Sequence, residues 1–254
     1  MSPQHVLAVS LMHEAGERAL CHFRQRDMLA LATKGPLDFV SEADKDIERF
    51  VRSAVAETFD GAPLVGEELG GEISDDYWII DPIDGTANFL RGNPLWGISL
   101  AHMTNGVPDI GVIRYPVLGI TVSATAGSGL FVDGKAAHRD DMFGDVRLAA
   151  VGENNRWRAE DIGSVEKHLR HLGWGIVQYR CASISLGFAA LGRTDGYLER
   201  HLSLWDLAAG ALICREAGLQ SFWGGAPVAQ GMWVMVGTQA LIEDTTEIST
   251  CITG

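Results

Sequence analysis

The chain of 254 residues is 46% hydrophobic and 21% charged, an ordinary globular composition with length for one large domain or two packed sub-domains. Its formal net charge of −13 argues against bulk binding to nucleic acid, which needs Lys and Arg to displace counterions. A phosphate-handling protein this acidic needs an added cation, and a metal ion is the obvious choice. The four cysteines, Cys21, Cys181, Cys214 and Cys251, have neither CxxC nor zinc spacing and read as reduced, mostly buried thiols. With no signal pattern and no apolar run of membrane length, the expectation is a cytoplasmic protein with no membrane partner.

Val6, Val9, Met12, Gly16, Leu20 and Phe23 recur at helical spacing and predict a helix over residues 4–26. Lys34 to Val40 contains Gly and Pro and reads as a loop or extended segment. A second helix is expected from near Ser41, with Ile47, Phe50, Val51, Ala54 and Val55 as its buried stripe. Pro63-Leu64-Val65 gives a short strand ending at Gly66-Glu67-Glu68. Tyr77 to Ile80 reads as a buried strand that stops at Asp81-Pro82. Strands are expected over 97–103, 109–114, 119–124 and 130–132, with Asp133-Gly134 as a hairpin turn.

The second half alternates. Strands are predicted at 146–151, 176–179 and 196–199, with helices at 164–172, 183–191 and 205–217, the last ended by Gly218. The first half therefore has a largely antiparallel α+β pattern and the second an α/β pattern. A sub-domain boundary is expected near Gly144, giving an N-terminal unit of residues 1–144 and a C-terminal unit of 145–254.

Carboxylates stand where the chain changes direction: Glu67 and Glu68 after one strand, Asp81 and Asp84 after another, and Asp206 at the opening of a late helix. Converging carboxylates repel one another and take up protons unless a cation neutralises them, and hard oxygen ligands suit Mg²⁺. Singly, each has a plain structural reading. Glu67-Glu68 is a solvated pair, Asp84-Gly85-Thr86 a turn, Asp206 an N-cap, and Ser41 with Asp44 a capping box. Their joint occurrence favours a metal site. Pro82 fixes φ and stiffens the turn that holds Asp81 and Asp84. The small Ala208, Ala209 and Gly210 allow the helix behind Asp206 to pack closely.

The segments Gly66-Glu67-Glu68, Trp78 through Asp81-Pro82-Ile83-Asp84-Gly85-Thr86 to Phe89, and Trp205-Asp206 to Gly210 resemble, in order, the three signature motifs of the inositol monophosphatase family. Lys34 through Asp44 to Glu48, Gly127-Ser128-Gly129, Asp133-Gly134 and Asp195 to Glu199 match as well, so the likeness covers nearly the whole chain. It implies a layered αβαβα sandwich of the sugar-phosphatase type and Mg²⁺-dependent hydrolysis of a small phosphate monoester such as inositol monophosphate. It also implies a homodimer.

For the site, the likeness implies that Glu67, Asp81 and the Ile83 carbonyl bind one metal, while Asp81, Asp84 and Asp206 bind a second. Asp44 helps hold a third ion through water. Glu67 and Thr86 activate the attacking water, and Gly85 and Thr86 offer N–H groups to the phosphate. Glu199 contacts polyol hydroxyls, with Cys181 and Ala182 on the substrate side. Two such metals can clamp the attacking and leaving oxygens of an in-line displacement.

The sequence departs from the family at Arg180-Cys181-Ala182, where many members have Gly-Ser/Thr-Ala. Relatives act on histidinol phosphate, 3′-phosphoadenosine 5′-phosphate or fructose 1,6-bisphosphate, which are the alternative substrates. A haloacid-dehalogenase-type phosphatase would use Asp-x-Asp-Gly-Thr, one residue tighter than the Asp81–Asp84 spacing, and would leave Glu67 without a role. A regulatory binding protein is the alternative from another class, and the intact carboxylate set argues against it.

Overall fold

A computed structural model describes residues 1–28, 31–35, 38–226 and 231–254, with residues 28, 31–35 and 38–41 described by backbone alone. Pro36 and Leu37, in the segment expected to be loop or extended, lie outside the described residues, as do the side chains of Lys34 and Ser41. The elements in chain order begin with α1 (Pro3–Arg24), a hairpin of β1 (Leu31–Gly35) and β2 (Asp38–Ser41), and α2 (Glu42–Thr58). Then come β3 (Leu64–Gly66), β4 (Asp76–Asp84), the short α3 (Thr86–Arg91), β5 (Gly97–Thr104), β6 (Val107–Tyr115), β7 (Ile120–Thr125), β8 (Leu130–Val132) and β9 (Lys135–Ala137). The second half contains β10 (Leu148–Val151), α4 (Ala159–His171), β11 (Gly175–Val177), α5 (Ala182–Ala190), β12 (Gly196–Leu202) and α6 (Leu204–Glu216). It closes with β13 (Gln220–Ala226), β14 (Gly231–Gly237), α7 (Gln239–Asp244) and α8 (Ser249–Thr253).

Strands β3 to β9 form a seven-stranded sheet in sequence order, antiparallel except for the parallel β3–β4 pair. A five-stranded sheet has the order β11-β10-β12-β14-β13, with β10 parallel to both β11 and β12. Gly144 lies between the last strand of the first sheet and the first strand of the second.

Period-two alternation assigns the layers. Trp78 and Ile80 of β4 pack with Ile98, Leu100 and Val112 against α1 and α2. Tyr77 and Ile79 point the other way, into a core shared with α5, α6 and Val234 and Val236 of β14. The outer face of the second sheet packs Ala149, Val151 and Met235 against Val165 and Leu169 of α4, Leu241 of α7 and Ile252 of α8. The result is helices, sheet, helices, sheet, helices, with α5 and α6 in the middle. The central layer is tight: a side chain on Gly111 of β6 would meet the Ala209 carbonyl at 2.8 Å, so α6 lies directly on the sheet. The small residues behind Asp206 make that approach possible.

Three expectations need correction. The strand from Tyr77 does not stop at Asp81-Pro82; β4 runs to Asp84, and the missing Pro82 N–H is accommodated by a register shift against β5 between Asp81 and Asp84. Helix α4 starts at Ala159, five residues before the predicted start, because Arg158 serves as a backbone N-cap without the side-chain signal that marks a helix start. The C-terminal β13, β14, α7 and α8 were not anticipated; β13 is Gly-rich with an alternating, half-exposed face, which weakens its apolar signature. The Asp133-Gly134 turn is as predicted, with both residues at positive φ and Val132 paired to Lys135.

Helix α1 is tied to the sheet by a fully buried histidine. His5 meets the Phe131 ring edge-on at 5.3 Å and brings Nδ1 within 2.9 Å of Thr125 Oγ1. Burial lowers its pKa from 6.5 to about 4. The folded state therefore resists a proton that the unfolded chain accepts: the contribution is full above pH 6.5 and is lost as pH falls toward about 4. A shift of this size corresponds to on the order of 3 kcal/mol. We expect His5→Gln to lose less stability than the parent between pH 7 and pH 4.5 in urea unfolding; parallel curves would mean that His5 is not protonated on unfolding.

Candidate active site

The parallel β3–β4 register pairs Gly66 with Ile80, so the next residue on each strand, Glu67 and Asp81, emerges side by side. Alternation on β4 turns Asp81 to the same side as Tyr77 and Ile79, toward the α5–α6 layer. There Ser99, the β5 partner of Asp81, donates its hydroxyl to the Trp205 carbonyl at 3.2 Å, fixing the first turn of α6 and hence Asp206. Asp206 is not an N-cap, the plain structural reading it has when taken singly. Ser203 caps α6 and Asp206 is the third helical residue, accepting the Ser203 N–H at 2.7 Å. The physical reason is the reciprocal capping arrangement, in which the acidic member reaches back to the cap.

Asp84 lies against the start of α5. Its carboxylate accepts the Ala182 N–H at 3.3 Å, the Ser183 N–H in a short bond, and the Cys181 thiol at 3.2 Å. The donors of Cys181 and Ala182, expected on the substrate side, are thus turned to Asp84, although both residues line the cleft. Gly85 takes φ +85° and begins α3. The Thr86 hydroxyl donates to the Ile83 carbonyl at 3.1 Å, and Asp81 accepts the Ile83 N–H at 3.0 Å.

Electrostatics unite these groups. Asp81 is held well above the usual carboxylate range by burial first, then by the charges of Glu67, Asp84, Asp206 and Asp44. Burial, then Glu67 and Asp84, raise Asp206 in the same way, and burial raises Asp84 against the opposing bonds from α5. Asp44, 2% exposed on α2, belongs to this group by its charge. The structure therefore brings together Asp44 of α2, Glu67 after β3, Asp81 and Asp84 of β4 and Asp206 of α6, from four separate chain segments.

All of these donors are hard oxygens, the chemistry that Mg²⁺ takes. Among the described residues no three carboxylate, His or Cys groups converge on one point. Asp81, Asp84 and Asp206 each accept a backbone N–H.

The turn bearing Glu67 is fixed by a buried residue with no catalytic geometry of its own. Glu48 of α2 accepts the Glu68 N–H at 2.7 Å and the Leu69 N–H at 3.1 Å, and Arg52 bonds to it at 2.8 Å. A Cβ on Gly66 would fall on the Glu48 carboxylate, so glycine is required there.

The carboxylates open into a cleft of about 210 Å³ that includes Gly85, Thr86, Glu199 and Arg180. Glu199, buried at the cleft wall, accepts Asn154 Nδ2 at 2.9 Å and a short bond from the Tyr197 hydroxyl. Burial drives its pKa up to about 8, the Asn154 bond opposing and the Asp84 charge adding to the effect. The expected carboxylate acceptor is thus largely a neutral acid near pH 7 in the metal-free protein. Sequence reading missed Asn154, Tyr197 and His201 in the cleft; Arg180, which stands out there as a departure from the family, lines it too. Asn154 follows β10 at the carboxyl end of a parallel strand, a place where ligand sites recur, and that was the available signal.

Glu48→Ala should strand the Glu68 and Leu69 N–H groups, while Arg52 keeps the Leu64 and Gly70 carbonyls, costing about 1–3 kcal/mol in urea unfolding. A cost under ~1 kcal/mol would show that the turn is held without Glu48.

A model of the inositol monophosphatase family matches residues 2–249. An inositol-1-monophosphatase of Rhizobium meliloti (strain 1021) is 34% identical over 239 residues, covering 88% of this chain and 87% of that protein. A fructose-1,6-bisphosphatase/inositol-1-monophosphatase of Thermotoga maritima is 31% identical over 212 residues, 83% of this chain and 81% of that protein. Among solved structures, the extragenic suppressor protein SuhB of Bartonella henselae is similar at TM-score 0.83 and 27% identity, covering 97% of this chain and 98% of that one.

Proposed function

We propose that this chain, which belongs to the inositol monophosphatase family and is a phosphatase, hydrolyses the phosphate monoester of a small polyol or sugar with the help of Mg²⁺. Inositol monophosphate is the first candidate. The observation that carries the metal reading is Asp81: buried at 2% exposure, with four further carboxylates as the charged groups that act most on it. Such a cluster favours cations and is poorly suited to bind a phosphate alone. The names of the Rhizobium and Thermotoga relatives support a polyol or sugar monoester as the substrate class.

In this reading Glu67, Asp81, Asp84, Asp206 and the Ile83 carbonyl hold the metal ions, and Asp44 supports a further ion through water. Bound Mg²⁺ would supply positive charge for the phosphate oxygens and lower the pKa of a neighbouring water. Glu67 accepts the proton of the attacking water. The Thr86 hydroxyl, 3.1 Å from the Ile83 carbonyl, orients that water beside it. Gly85 and Thr86 offer backbone N–H groups to the phosphate. Glu199, anchored by Asn154 and Tyr197, meets the polyol hydroxyls. Cys181 and Ala182 border the substrate and keep Asp84 oriented. The homodimer and the cytoplasmic location belong to the same reading; among the described residues no helix is long and apolar enough to cross a membrane.

Two outcomes follow. EDTA should abolish hydrolysis of inositol 1-phosphate and Mg²⁺ should restore it, while Glu67→Gln should lower kcat by ~10²–10⁴-fold at saturating Mg²⁺. A kcat within twofold of the parent would remove Glu67 from the reaction.

The second outcome is thermodynamic. The raised pKa values of Asp81, Asp84, Asp206 and Glu199 mean that the metal-free folded state keeps protons that the unfolded chain releases from about pH 4 upward. Their contribution is full below that pH and is lost as pH rises through the folded-state values, about 8 for Glu199. Mg²⁺ should offset this loss, so the gain in Tm from Mg²⁺ should be small at pH 5 and grow toward pH 8. A gain independent of pH would contradict ion binding by these carboxylates.

A further inference from the structure

Among the described residues, five non-glycine positions have left-handed backbone: Asp60, Asn105, Asp133, Arg180 and His201. Asp, Asn and His are the types enriched there; Arg180, at φ +54°, is not one of them. The backbone needs this conformation, because the next residue, Cys181, starts α5 and delivers the Ala182 and Ser183 N–H groups to Asp84. Glycine would make the same turn without strain. Strain retained in a cleft points to a use for the side chain.

Arg180 and His201 both line the cleft, so two of the five left-handed positions fall in this one site. The guanidinium lies 3.3 Å from Glu153, and both side chains are well exposed, at 36% and 45%. An exposed pair of this kind contributes too little to account for the strained backbone. The single contact from Nη1 engages one of the five N–H donors of Arg180. The charge of Arg180 reaches the buried Glu199 on the polyol side of the cleft. A fixed cation in an otherwise acidic cleft matches a planar anion, which the guanidinium fork can bind in two places.

We propose that Arg180 forms a subsite for a second anionic group of the substrate, so that the preferred monoester also bears a phosphate or carboxylate on its polyol portion. This rests on the phosphatase reading above and narrows its substrate class. Arg180 would exchange Glu153 for the substrate anion.

Three matched six-carbon esters test it: glucitol 6-phosphate, with no second anion, 6-phosphogluconate, with a carboxylate, and glucitol 1,6-bisphosphate. The parent enzyme with Mg²⁺ should favour one or both doubly anionic esters in kcat/KM by about ten- to a hundredfold, the range of a charge-assisted hydrogen bond. The ester that gains tells carboxylate from phosphate. Arg180→Gly should bring that ratio to within twofold of one, Arg180→Lys should retain part of it, and the Tm of Arg180→Gly should not fall. A ratio that does not respond to Arg180→Gly overturns the subsite, and a fall in Tm with the ratio unchanged assigns Arg180 a structural role.

Calorimetric binding of the same esters to Glu67→Gln with and without Arg180→Gly, in Mg²⁺, separates the two readings. Arg180-dependent preference in binding with no turnover of any ester by the parent would sink the phosphatase reading and keep the subsite. Turnover of glucitol 6-phosphate with no Arg180-dependent preference in either assay would sink the subsite alone.

Discussion

Several carboxylates of one sign are buried within electrostatic reach of each other around Asp81, and much of the surrounding architecture answers that constraint. Desolvation of an ionised carboxylate costs several kcal/mol, and like charges nearby add to it. Backbone donors hold the groups in place: Ile83 holds Asp81, the start of α5 holds Asp84, and Ser203 holds Asp206. The same arrangement that is unfavourable for the bare carboxylates is the one on which the proposed cation binding rests.

The framework around the site keeps these groups from moving apart. The parallel β3–β4 pair sets Glu67 beside Asp81, and Glu48 with Arg52 fixes the turn that follows β3. The close contact of α6 with β6 holds Asp206 over the sheet. Stability is therefore invested in buried polar contacts at the rim of the cluster, while the apolar layers on both sides of the first sheet provide the bulk of the burial.

The carboxylate side and the opposite wall of the cleft differ in construction. The carboxylate side comes from strand ends and helix starts. The opposite wall is drawn from the segment after β10, from Arg180 ahead of α5 and from β12. The departure at Arg180-Cys181-Ala182 falls at the boundary between them. Cys181 there serves Asp84 through its thiol, while Arg180 extends toward Glu153.

The sequence by itself determined the elements whose signals are local. The helical stripe of α1 and α2, the apolar run of β4 and the Asp133-Gly134 turn each depend on neighbours a few residues apart. The motifs at Glu67, Asp81–Thr86 and Asp206 were legible as well, since each is contiguous and its residue types imply cation chemistry. Only the tertiary structure decided which distant groups meet. Glu48 as the acceptor for the Glu67–Glu68 turn, Asp84 on the α5 terminus and Asn154 on Glu199 are contacts across 20 to 98 residues of sequence. Sheet pairing and layer packing create such contacts, and no local periodicity encodes them. The left-handed backbone at Arg180 was hidden for a related reason: arginine gives no local signal for that conformation, which is imposed by the need to bring the start of α5 to Asp84.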